Sequence, residues 1–129
     1  MRLLLDTHVL LWAVAEPGKI AEPYREQIES ADNEVFFSAA SVWELAIKMQ
    51  VGRVDLPVEL EEITQAATRM DFLELPLTAA HAAGTARLPL HHRDPFDRLL
   101  VAQALHEPLR LFTVDRALGK YSDLVEVIA

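Results

Sequence analysis

The chain has 129 residues, 51% of them hydrophobic and 25% charged, with no cysteine and a formal net charge of -8 at pH 7. This is the balance of one folded domain, residues 1–129, rather than of a disordered chain. The lack of thiols excludes disulfides, zinc–thiolate centres and cysteine nucleophiles and fits a reducing cytoplasm, while the acidity argues against a simple basic nucleic-acid binder and leaves two readings, no nucleic-acid ligand or acids gathered where metal ions bridge to phosphates.

Arg2 to Leu5 reads as a buried strand, because the apolar run is too short for a signal-peptide core or a membrane span. Val9, Leu10, Ala13 and Val14 recur at helical spacing and predict a helix over Thr7 to Ala15, ending before Pro17-Gly18. Pro23 to Ala31 reads as a second helix, with Pro23 near its start. Glu34 to Phe37 is the second strand, and Ser38 stands where it can cap a helix from Ala39 to about Gln50, with Gly52 as the stop signal. Pro57 to Met70 reads as helix, Asp71 to Leu75 as the third strand, Thr78 to Ala86 as a helix capped by Thr78, and Leu88 to Arg93 as loop. Asp94-Pro95 opens a helix to about His106; Leu109 to Thr113 is the fourth strand, and after a short helical stretch from Arg116, Leu124 to Ile128 is the fifth. Strands separated by helices predict an α/β fold, a mainly parallel sheet with helices on both faces. Ligands of such sheets bind beyond the carboxyl ends of the strands.

Four acids fall at that edge. Asp6 follows the first strand, Glu44 lies within two turns of Ser38, Asp97 is in the first turn of the helix opened by Asp94-Pro95, and Asp115 follows the fourth strand. Each has a purely structural alternative. Asp6, Asp94 and Asp115 can be helix N-caps, Asp97 can complement a helix dipole, and Glu44 can pair with Lys48 one turn on. Taken together the acids point elsewhere. At about 5 Å and an effective dielectric near 20, each carboxylate pair repels by roughly 3 kcal/mol before screening. A divalent cation reverses that sign, and hard oxygen ligands suit Mg²⁺ or Mn²⁺. Such a cation can acidify a water, orient it at phosphorus and stabilise the leaving oxygen. The same repulsion predicts that Asp6→Asn, in the absence of metal, melts no lower than the unsubstituted chain.

Four blocks, in order, resemble the PIN-domain family, and within it the VapC-like toxins of prokaryotic toxin–antitoxin pairs. They are Leu4-Leu5-Asp6-Thr7-His8 with Leu10-Leu11-Trp12, Phe37 to Glu44, His92 to Leu100, and Thr113-Val114-Asp115. The resemblance implies a three-layer α/β/α sandwich, Mg²⁺-dependent cleavage of RNA, neutralisation by a cognate antitoxin, and a homodimer. It places the acids of the site on Asp6, Glu44, Asp97 and Asp115, with Asp94 as the alternative third acid and Asp97 favoured by its distance to Leu99-Leu100-Val101-Ala102. Thr7, Ser38 and Thr113 are candidates to hydrogen-bond carboxylates or water, or to serve as caps. Arg98 is a candidate to hold a phosphate or pair with an acid. His91 and His92, being adjacent, point in different directions and are assigned to the loop rather than to a metal pair. Trp12 and Trp43 are assigned to the core or a dimer interface. Arg53 to Leu90 matches no functional motif.

Two rival classes share parts of this pattern. A receiver-type phospho-acceptor wants adjacent acids after the first strand and an Asp after a middle one, whereas Asp6 stands alone and no Asp follows Phe36-Phe37. A dehalogenase-type phosphatase wants a second Asp two residues after the first, where this chain has His8. A catalytically silent PIN fold used for binding would have no need of the full set of acids.

Overall fold

A strand sends alternate side chains to opposite faces, so Leu3 and Leu5 must find one core and Leu4 another. In the computed structural model, which describes residues 1–56 and 59–128, Leu3 and Leu5 pack with Val9, Leu10, Phe37 and Phe112. Leu4 packs with Phe36, Leu100, Val101 and Leu111. These clusters lie on the two sides of one five-stranded sheet, β1 (Arg2–Leu5), β2 (Glu34–Ser38), β3 (Leu73–Leu75), β4 (Arg110–Thr113) and β5 (Val125–Val127). The order is β3-β2-β1-β4-β5 and every pairing is parallel. β1 is central and covered on both faces, which is why its sequence is a continuous leucine run rather than an alternation.

The helices are α1 (Thr7–Ala15), α2 (Tyr24–Glu29), α3 (Ala39–Gln50), α4 (Leu60–Arg69), α5 (Ala79–Gly84) and α6 (Pro95–His106). Residues of α1, α2 and α4 join the first cluster and residues of α6 the second, so the sheet is the middle of three layers. Consecutive crossovers run from β1 outward to β2 and β3, then return to β4 on the other side of β1. The strand order therefore reverses between β1 and β4, and a crevice opens there at the carboxyl ends.

The boundaries differ from the sequence reading where a local turn wins. α2 is shorter than expected because Ser30 turns extended and its hydroxyl accepts the Asp32 N–H. β3 begins at Leu73, not Asp71, because Asp71 takes a left-handed conformation (φ 64) that closes α4. The expected helix start at Pro57 lies outside the described residues. Among the described residues no helix is long and apolar enough to cross a membrane.

Candidate metal centre

Asp6 is the first residue past β1, and its N–H still donates to the Phe112 carbonyl of β4 at 2.9 Å. Its side chain works in two directions. Oδ1 accepts the Val9 N–H at 2.8 Å and caps α1. Oδ2 accepts the Thr113 hydroxyl at 2.5 Å and the Val114 N–H at 3.2 Å. Asp6 is only 5% exposed, and burial pushes its pKa up against the pull of these donors.

Asp115, two residues past β4, caps the 3₁₀ turn Arg116–Lys120 through Oδ1, which accepts the Ala117 N–H at 2.9 Å. Its other oxygen lies 2.7 Å from His92 Nε2, and the same nitrogen lies 3.4 Å from Asp97 Oδ2. Donor atoms of His92, Asp97 and Asp115 all fall within 4.8 Å of one another. Asp94 caps α6, with Oδ1 accepting the Phe96 and Asp97 N–H groups at 2.9 and 3.1 Å. Pro95 follows at the first helical position, so Asp97 projects from the first turn into the crevice.

Glu44 comes from α3 and is 4% exposed. The Thr7 hydroxyl lies 2.7 Å from its Oε1 and the Lys48 ammonium pairs with its Oε2. The Glu44–Lys48 pair is thus present, and it does not draw Glu44 out of the site. Asp6, Glu44, Asp94, Asp97, Asp115, Thr7 and Lys48 line one cleft of about 330 Å³.

Crowding shows in Asp97. Burial first, then the neighbouring charges of Asp94 and Glu44, push its pKa up to about 7. The Lys48 pKa is pushed up in turn, chiefly by its hydrogen bond to Glu44. A half-buried carboxylate whose pKa is raised by other acids marks a site short of positive charge. The donors offered are hard oxygens. They suit Mg²⁺ or Mn²⁺ better than a soft ion.

The supporting candidates divide. Thr7 and Thr113 touch the acids directly. Ser38 does not: its hydroxyl accepts the Ala40 N–H as the cap of α3 and donates to Gln103 Oε1 at 2.6 Å. Arg98 turns away from the cleft, donating to the carbonyls of Thr85, Pro89 and His92 and to the Tyr121 hydroxyl, so it clamps the loop before α6 instead of facing an acid or a phosphate. Trp12 packs against the first core cluster, whereas Trp43 is 55% exposed and stands edge-on to Phe96.

His92 is the residue that sequence reasoning missed. The adjacent histidines do diverge, His91 going to the Tyr121 ring and His92 to the acids. A signal was present, since His92 lies two residues before a capping Asp, an offset at which an imidazole can accept the N–H of the cap. It does so here, Nδ1 accepting the Asp94 N–H at 3.0 Å.

With this geometry in hand, comparison with known proteins is specific. The model of the family described as PIN domain matches residues 3–124. Ribonuclease VapC22 of Mycobacterium tuberculosis is 36% identical over 121 residues, which span 92% of this chain and 91% of that protein. Among solved structures, VapBC2 from Rickettsia felis bound to a DNA fragment from its promoter contains a similar chain at TM-score 0.69 and 16% identity, covering 98% of each. FitAcB from Neisseria gonorrhoeae gives 0.57 at 19% identity, covering 90% of this chain and 89% of that one. At such identities these structures speak to the fold, and they agree with the three layers described above. The family match over nearly the whole length, and the close sequence relative, place this chain in the PIN-domain family.

Proposed function

We propose that this chain is an endoribonuclease that hydrolyses RNA phosphodiesters at a carboxylate-bound Mg²⁺ or Mn²⁺, and that it is the toxin of a toxin–antitoxin pair. The supporting observation is the gathering of Asp6 and Asp115, from two strand ends, and Glu44 and Asp97, from two helices, on one cleft in which burial and the neighbouring acids push the Asp97 pKa up. The ribonuclease name of its sequence relative points the same way. An antitoxin protein as partner and a homodimeric state follow from the same kinship and belong to the proposal.

Asp6, Asp97 and Asp115 would hold the cation, with Glu44 beside them and Asp94 at the rim. When bound, the cation supplies charge for the scissile phosphate and acidifies an attacking water. The chain's own groups prepare the place. The Val9, Thr113 and Val114 donors hold the Asp6 carboxylate in one orientation. Thr7 and Lys48 hold Glu44 facing the cleft, where its carboxylate can take a proton from a water. Lys48 also brings positive charge to the lining, and so lowers the repulsion that an entering phosphate meets.

The test is cleavage of single-stranded RNA by the purified protein. Cleavage should require Mg²⁺ or Mn²⁺, stop in EDTA and return when the cation is restored. Cleavage undiminished in excess chelator would overturn the metal mechanism.

A further inference from the structure

His92 offers a nitrogen beside Asp97 and Asp115, and the obvious reading is a mixed nitrogen–oxygen metal site. The hydrogen bonds around the ring forbid it. Nδ1 accepts the backbone N–H of Asp94 at 3.0 Å. A backbone amide only donates, so Nδ1 carries no proton and the neutral ring carries its proton on Nε2. That proton points at Asp115 Oδ2, 2.7 Å away. To bind a cation through Nε2, the ring would have to move its proton to Nδ1, against the Asp94 N–H.

Two further bonds link the end of β4 to Asp6. The Asp115 N–H donates to Thr113 Oγ1 at 3.0 Å. The Thr113 hydroxyl has one proton, and the acceptor left to it is Asp6 Oδ2. Two short directed runs result: Asp94 N–H to His92 to the Asp115 carboxylate, which ties the first turn of α6 to the end of β4, and Asp115 N–H to Thr113 to Asp6, which ties the ends of β4 and β1. The His92 backbone is anchored as well: its N–H donates to the Tyr121 hydroxyl at 3.0 Å, and Arg98 holds both that hydroxyl and the His92 carbonyl.

We infer that His92 is a positioning residue of the metal centre, a neutral Nε2–H donor that orients the Asp115 carboxylate without being a ligand. This role deepens the proposed metal-dependent reading and rests on it. The imidazole does for Asp115 what a carboxylate or carbonyl partner does for a ligating histidine.

The experiment has two readouts on the full chain. Long-range ¹H–¹⁵N NMR of the unsubstituted protein reports the tautomer directly. We expect the Nε2–H form for His92 both without metal and with saturating Mg²⁺. A shift to the Nδ1–H form on adding Mg²⁺ would make His92 a ligand and overturn the inference. Calorimetric titration with Mg²⁺ then gives affinity. His92→Ala should weaken binding by about 10- to 100-fold, in line with loss of an outer partner. His92→Gln, which keeps an N–H donor, should recover most of it. Unchanged affinity in His92→Ala, with a matching thermal melt, would also refute the role. If the unsubstituted protein binds no divalent cation, the metal-dependent reading fails. If it binds but ignores His92, only this inference fails.

Discussion

Asp97→Asn should stabilise the protein in EDTA at pH 8 while removing its activity. The carboxyl ionises near 3.8 when unperturbed and near 7 in the fold. Between those values the folded state keeps a proton that the unfolded chain releases. Stability of the metal-free protein therefore falls as pH rises through this window: the acid costs nothing below about pH 4, and its full cost is reached above about pH 7. At about 1.4 kcal/mol per unit, the shift of roughly three units sets a ceiling of about 4 kcal/mol. The Asp97 side chain is 22% exposed, and solvent screening reduces that figure. The substitution also forfeits a favourable acid at the start of α6, worth about 0.3–1 kcal/mol. The expected net gain is about 1–3 kcal/mol at pH 8, or a rise in Tm of roughly 3–10 °C, vanishing near pH 4. The assay is a set of thermal melts of both proteins in EDTA at pH 4, 6 and 8. With saturating Mg²⁺ the order should invert, because only the unsubstituted chain gains from binding. An Asp97→Asn protein that melts below the unsubstituted one at pH 8 in EDTA would refute the account of a charge-starved site.

The remaining predictions concern the neighbours of that acid. Asp6→Asn should abolish cleavage and also lower stability by about 1–3 kcal/mol, against the expectation from charge repulsion alone. Both carboxylate oxygens face donors, so whichever way the amide turns, its NH₂ meets an N–H or the Thr113 hydroxyl; a thermal melt beside the cleavage assay checks both. Asp94→Ala should cost about 1 kcal/mol, the usual loss for a cap, and keep measurable cleavage at matched folded concentration. A stable but inactive Asp94→Ala would move Asp94 into the metal centre. Arg98→Ala should lower stability by about 1–3 kcal/mol, because the loop carbonyls it serves lose a donor. Arg98→Lys should not restore it, since one ammonium cannot reach the same set; chemical denaturation of the three proteins decides.

The fold was legible because it depends on short-range features. Leu3-Leu4-Leu5 could only be a strand covered on both faces, Ser38, Thr78 and Asp94 announced the helices they cap, and alternation of strand and helix left a parallel sheet as the economical arrangement. The acids were legible for the same reason, since each sits at a fixed offset from a strand end or a cap, and a parallel sheet places all such offsets along one edge. Asp6 and Asp115 cap helical turns and face the cleft at once, because a carboxylate has two oxygens and a cap uses one.

What needed the tertiary structure was direction. Arg98 is one residue from Asp97, yet a helix turns about 100° per residue, and the guanidinium is carried to the carbonyls of a loop that no local pattern could place beside it. Ser38 follows a strand end as Asp6 does, but its hydroxyl meets Gln103, 65 residues away. The role of His92 depends on the meeting of an amide from its own loop with a carboxylate 23 residues on. Hydrogen bonds of this kind specify which proton sits on which atom. A sequence states only which donors and acceptors exist; the packing of β4 against β1 decides which of them face each other.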